Sequence, residues 1–189
     1  DINALKVIDQ SHSPVFLVGL GIKKLLLKNG LQNIYELDWG NDFQYKGINI
    51  SFRMALHWSN RGMRPWKTLW GSFFLEGSCK IYFAGDTAYG SHFKKIKEEF
   101  GAPDLALIPI GAYIPRSFML SVHMDPQQAV QAHLDLEAKE SFAIHWGTFQ
   151  LTYETMYQAI EELEATLAKF ETPNFKFDKQ HGKAHLFTA

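Results

Sequence analysis

The sequence has 189 residues, 46% of them hydrophobic and 21% charged, which suffices for one domain with its own core. Nineteen basic against 20 acidic residues give a formal net charge of -1, which excludes the basic footprint of a nucleic-acid-binding protein. No apolar run is long enough to span a membrane, and the lone Cys79 rules out an intrachain disulfide and fits a reducing, cytoplasmic setting. Aromatics are abundant at 14%, and core filling is their default use, with an apolar substrate pocket as the alternative.

Asp1 to Ile8 reads as a short amphipathic helix. The first residue is not Met, and there is no charged n-region or apolar h-region of a signal peptide. The sequence is therefore expected to begin inside a domain, with an upstream targeting segment left open. Val15 to Val18 is a buried-type strand, Gly19 to Asn29 a helix stopped by Gly30, and Asn33 to Leu37 a second strand. From Gly47 to His57, Ile48, Ile50, Phe52, Met54 and Leu56 alternate with smaller or polar residues, which predicts a strand ending at His57. Ser59 to Trp66 is a basic, aromatic loop.

Leu69 to Glu76 and Lys80 to Ala84 form a hairpin around Gly77-Ser78, and the second strand stops at Gly85-Asp86-Thr87. A helix follows from Ser91 to Phe100, then a buried strand from Leu105 to Pro109 and a loop from Gly111 to Arg116. Asp125-Pro126-Gln127-Gln128 is a helix start, with an N-cap, Pro at the first position and Gln at the third, and the helix is expected to reach Lys139. Ser141 to Ile144 is a strand running into His145, Thr152 to Phe170 a long helix, and Phe175 to Thr188 a closing strand or hairpin. Strands alternate with helices, so the class is α/β.

Three predicted strands end in a potential metal ligand: His57, Asp86 and His145. Imidazole and carboxylate suit zinc, and also manganese or iron. Their wide separation matches no local metal motif, and on composition and spacing alone a hydrogen-bonded network at strand ends is the favoured reading, because such networks are common. His12, His92, His133, His181 and His185 read as structural, and Cys79, beside a hairpin turn, as inert.

The words around these residues add a resemblance. Phe83-Ala84-Gly85-Asp86-Thr87-Ala88-Tyr89, Ile110 to Arg116, His123-Met124-Asp125-Pro126 and Ala143-Ile144-His145-Trp146-Gly147-Thr148-Phe149 occur in that order. The chain, from about Leu5 to Thr152, resembles the metallo-β-lactamase superfamily, in particular its N-acylphosphatidylethanolamine-hydrolysing phospholipase D branch. The resemblance implies the second part of a four-layered αββα sandwich. It implies metal ligation by His57, Asp86 and His145, with Asp86 bridging two ions. It implies catalytic roles for Asp86 and His123, and substrate contacts from Tyr113, Arg116 and His123. Arg64 and Lys67 are further candidates for a phosphate, and Trp58, Trp66, Trp70, Tyr113 and Phe118 for an apolar lip.

The reaction implied is hydrolysis of a small-molecule or lipid phosphodiester by hydroxide held between two zinc ions. A lactonase-like or other ester hydrolase on the same fold is the first alternative. A non-enzymatic half-domain binding module is the second, and a homo-oligomer is compatible with either. The family's His-x-His-x-Asp-His motif and first sheet are absent from these 189 residues. Residues 1–189 are thus expected to be a partial domain, inactive alone and a weak zinc binder, with that motif upstream.

Overall fold

The computed structural model describes residues 1–60, 67–170, 174–180 and 182–187. The first unit is small. Helix α1 (Ile2–His12) is capped by Asp1, whose carboxylate accepts the Asn3 N–H at 2.7 Å, and it runs one turn further than expected. Strands β1 (Phe16–Gly19) and β2 (Ile34–Leu37) pair in parallel across helix α2 (Lys23–Lys28). Leu26, Leu31 and Ile34 are buried between them.

A seven-stranded sheet makes up the rest. Its strands are β3 (Asp42–Tyr45), β4 (Ile48–Arg53), β5 (Ser72–Glu76), β6 (Lys80–Phe83), β7 (Leu105–Pro109), β8 (Glu140–Ile144) and β9 (Phe175–Lys176), adjacent in chain order. Pairings are antiparallel as far as β6 and parallel from there to β9. Strand β3 was not anticipated. It forms because Lys46 and Gly47, at φ 49° and 81°, make a two-residue turn with both residues left-handed, the twist that a tight hairpin needs.

Register divides the sheet into two faces. Ser51, Phe74, Tyr82, Ala106, Ser141 and Phe175 form one cross-strand row and are all buried. Over it lie helices α3 (His92–Phe100), α5 (Pro126–Leu136) and α6 (Gln158–Leu167), which add Phe93, Ile96, Val130, Leu136, Ile160 and Leu163 to one core. The opposite face carries Phe73, Leu107 and Phe142, half-buried, and Phe83, 38% exposed. The α/β expectation holds, with one helical layer on one sheet and the β1–β2 pair beside it. No helix of the described residues is long and apolar enough to cross a membrane.

Some boundaries move for physical reasons. The capping box forms as expected: Asp125 accepts from Gln128 N at 2.8 Å, and Gln128 Oε1 accepts from Asp125 N. The helix stops earlier than Lys139 because Glu137 turns left-handed at φ 49°. Helix α6 begins six residues later than expected. A short helix, α4 (Arg116–Met119), starts at the last residue of the expected loop, and among the described residues the closing segment pairs only over Phe175–Lys176.

Two core histidines link the fold to pH. His133 Nδ1 lies 2.7 Å from Ser141 Oγ, and burial pushes its pKa down. His92 Nε2 lies 3.2 Å from Thr87 Oγ1, and burial, helped by nearby Lys95, pushes its pKa down to about 4. The unfolded chain binds more protons than the folded one at His92 between about pH 6.5 and about pH 4, and at His133 as pH falls below about 6.5. Their stabilisation is complete above about pH 6.5 and is lost as pH falls below it, at no more than ~1.4 kcal/mol per pH unit for each histidine. Denaturation midpoints are expected to fall on acidification, with a shallower fall in His92→Gln. An unchanged slope in the variant would contradict this assignment.

Candidate metal centre

Strands β4, β6, β7 and β8 point the same way, so their carboxyl ends share one rim. Sites in open α/β sheets form at this edge. His57, Asp86 and His145 all arrive there. His57 does so differently from expectation: β4 ends at Arg53, and Met54 to His57 leave the sheet. Other partners take their backbone groups. Trp70 Nε1 donates to Ala55 O at 3.0 Å, Leu56 N to Thr87 Oγ1 at 2.9 Å, and Ala88 N to Leu56 O at 2.8 Å. The last two bonds clip the His57 segment onto the Asp86 loop. That loop turns at Gly85, φ 65°, where a Cβ would also stand 2.8 Å from Gly71 O. His145 follows β8 directly, in the left-handed region at φ 59°.

Asp86 Oδ2 lies 3.4 Å from His145 Nε2 and 3.9 Å from His57 Nε2. The His123 ring sits against both histidines, with centroids 4.9 Å from His57 and 5.2 Å from His145. His57 Nδ1 is 3.2 Å from Val122 O. A carbonyl only accepts, so Nδ1 carries the proton and the Nε2 lone pair turns toward Asp86. Burial lowers the His57 pKa against the pull of Asp86. Burial, then the charges of His145 and His57, bring His123 down to about 4. Burial works to raise the Asp86 pKa, but the His145 hydrogen bond and the histidine charges outweigh it and the net shift is down. For His145 burial lowers, the bond and charge of Asp86 raise, and the result is up.

These residues have the chemistry of metal ligands. Donors on one ion with bonds of about 2 Å stand roughly 3–3.5 Å apart, so the His145–Asp86 separation of 3.4 Å fits and the His57–Asp86 separation of 3.9 Å is slightly wide. Among the described residues the donors do not close into a group of three or more around one point. The set is open, with Asp86 shared between two histidines. A cleft of about 660 Å³ lies in front, lined by His57, Asp86, His123, Trp58 and Phe118. His145 also faces a second cavity of about 310 Å³, with Trp146, Phe149, Met156 and Glu154.

Other candidates are placed elsewhere. Tyr113 is 3% exposed and belongs to the core, so its ring meets neither cavity. Arg116 turns inward: its guanidinium donates to His123 O at 3.2 Å and Gln128 Oε1 at 2.7 Å and lies 3.4 Å from Asp125 Oδ2. It braces the His123 turn. Of the lip, Trp58 and Phe118 border the cleft at 38% and 72% exposure, and Trp70 lines it with its indole N–H on Ala55 O. Lys67 is exposed and does not line the cleft, while Arg64, Trp66 and His181 lie outside the described residues. His12, beside Ser11, and His185, beside Asp178, are peripheral.

Two residues escaped the sequence reading. Thr87 joins the His57 and Asp86 segments, as described above. Glu154, placed within a helix by sequence, lies in an irregular segment and is buried, accepting from Tyr113 N at 3.3 Å and Ile114 N at 3.2 Å. Thr155, three residues before Gln158, was the available signal: Gln158 Oε1 accepts from Thr155 N, as in half of a capping box.

Residues 13–146 match the Beta-lactamase superfamily domain, and the chain belongs to that family. It is 38% identical over 173 residues to the N-acyl-phosphatidylethanolamine-hydrolyzing phospholipase D, mitochondrial, of Saccharomyces cerevisiae, covering 87% of this chain and 37% of the yeast protein. It is 37% identical over 164 residues to N-acyl-phosphatidylethanolamine-hydrolyzing phospholipase D 1 of Caenorhabditis elegans, covering 80% and 46%. The chain thus spans less than half the length of either relative. Among solved structures, Igni18, a metallo hydrolase from Ignicoccus hospitalis, superposes with a TM-score of 0.64 at 22% identity, over 86% of this chain and 66% of its own. An isothiocyanate hydrolase from Delia radicum gut bacteria superposes with a TM-score of 0.67 at 18% identity, over 97% and 71%. These last two share the metallo-β-lactamase fold.

Proposed function

We propose that this chain supplies part of the metal site of a metal-dependent phosphodiesterase of the N-acylphosphatidylethanolamine phospholipase D type. One observation carries the reading: a single carboxylate oxygen, Asp86 Oδ2, faces the Nε2 atoms of His57 and His145, with His123 packed against both rings. Zinc suits this donor set, with manganese and iron as alternatives. The greater length of the relatives supports further ligands outside residues 1–189, as a two-ion site requires. A reducing compartment such as the cytoplasm fits the free, half-buried Cys79.

His57, Asp86 and His145 would hold the metal, which when bound polarises a phosphoryl oxygen and supplies a nucleophile at neutral pH. Asp86 brings the negative charge that offsets cations. Val122 fixes the His57 tautomer, so that a lone pair and not a proton faces the site. His123 Nδ1 is buried without a hydrogen-bond partner among the described residues, and the ring lines the cleft, where it can hold a phosphate oxygen. Arg116 keeps it there through the His123 carbonyl. The substrate is a small-molecule or lipid phosphodiester. The names of the two relatives and the exposed apolar rings of Trp58 and Phe118 at the cleft support a lipid.

His123→Ala tests the reading in the full-length protein. It is expected to leave metal content unchanged and to cut turnover of a chromogenic phosphodiester by about 10- to 100-fold, and that of a carboxylic ester with the same leaving group much less. Equal losses on both substrates would overturn the phosphodiesterase assignment and favour an ester hydrolase on the same metal site. No metal-dependent hydrolysis of either substrate by the unaltered protein would leave a binding module.

A further inference from the structure

We propose that Glu154 is a positioning residue for His145. The inference rests on the reading of His145 as a metal ligand. Parallel pairing of β7 with β8, Pro109 opposite Ile144, brings residues 110–115 and the His145 segment out of the sheet side by side. Ile110 N donates to Ile144 O at 3.1 Å, and the next residue, Gly111, lies so close that a Cβ there would collide with the His145 carbonyl oxygen. Ala112 and His145 both sit in the left-handed region, at φ 62° and 59°, where residues with a Cβ do not rest unless their surroundings hold them.

Glu154 supplies that hold. Its buried carboxylate takes the two consecutive amides that follow Ala112, those of Tyr113 and Ile114, and Tyr153 N returns a bond to Ile114 O at 3.4 Å. A carboxylate has acceptor sites for two amides at once, whereas a side-chain amide would turn an N–H toward one of them. The segment after His145 thus loops back and clamps the 110–115 turn against the His145 peptide. Glu154 touches no part of the Asp86 cleft, although it shares the second cavity with His145. It acts through the backbone.

The test uses the full-length protein with labelled histidine rings. In Glu154→Gln the ring signals of His145 are expected to move while those of His57 stay in place. Glu154→Asp, one methylene short, is expected to move the same signals less and in the same direction. Zinc affinity, followed by direct titration, is expected to fall on the order of 10-fold in Glu154→Gln. Unmoved His145 signals in Glu154→Gln overturn the proposal, as does equal movement of His57, which would mark general loosening. If Glu154→Gln does not fold, unmoved His145 signals in Glu154→Asp overturn it. The ring signals are read without metal. Failure of the metal reading would appear separately, as parent chain and His145→Ala taking up zinc alike.

Discussion

Asp86→Asn is expected to reduce phosphodiester hydrolysis by the full-length protein by roughly 100-fold or more, with loss of bound metal. The substitution keeps the side chain's shape. It removes an anionic group that both His57 Nε2 and His145 Nε2 face, at 3.9 and 3.4 Å. In the proposed two-ion site that charge offsets the repulsion between the cations. The amide also places an N–H where a lone pair faced the histidines. His57→Ala and His145→Ala should each cost metal and activity on a similar scale. His12→Ala should cost neither, because His12 is exposed and its Nδ1 meets only Ser11 Oγ. Metal analysis after dialysis and steady-state kinetics on the four variants check this. Parent activity and metal content in Asp86→Asn would overturn the metal centre.

The second large effect is on stability. Phe74→Ala is expected to destabilise the fold by about 3–5 kcal/mol, the range for emptying a buried phenylalanine site. Phe74 is 0% exposed at the middle of β5, between Ser51 and Tyr82 in the cross-strand row. Its ring stacks on Phe100 at 4.5 Å and lies 6.2 Å from Tyr82. The neighbours are held by strand pairing and by α3, so they cannot collapse into the space. In a domain of this size, a melting temperature lower by about 6–20 °C should result. Phe83→Ala, on the half-covered face at 38% exposure, should cost far less. Similar losses in the two variants would show that the helical face is not the better-packed core.

Much of this was legible in the sequence where a residue type does one local job. Asp125, Pro126 and Gln128 announce a helix start and form it, apolar alternation locates β4, and two apolar runs about Gly77-Ser78 locate β5 and β6. Co-location of His57, Asp86 and His145 follows from strand direction, because β4, β6 and β8 run the same way. What stayed hidden depends on partners distant in sequence. The strand to His57 breaks at Arg53 because Trp70 and Thr87 compete for its backbone. Tyr113 and Arg116 look like substrate contacts in a loop beside a site, but one fills the core and the other bonds to His123 and Gln128. Glu154 reads as a helix residue until two amides 41 and 40 positions away are seen to need it.

The consecutive order of β3 to β9 bears on how the protein is made. Each strand after the first pairs with the one synthesised immediately before it. A chain leaving the ribosome amino end first therefore always has the docking edge for its next strand already in place. No strand must wait for one yet to be translated. The crossovers that contain α3, α5 and α6 slow the later parallel steps, since longer loops must close before pairing repays them. This order allows the sheet to grow from one edge during translation, with His145, beyond the eighth strand, reaching the rim after His57 and Asp86.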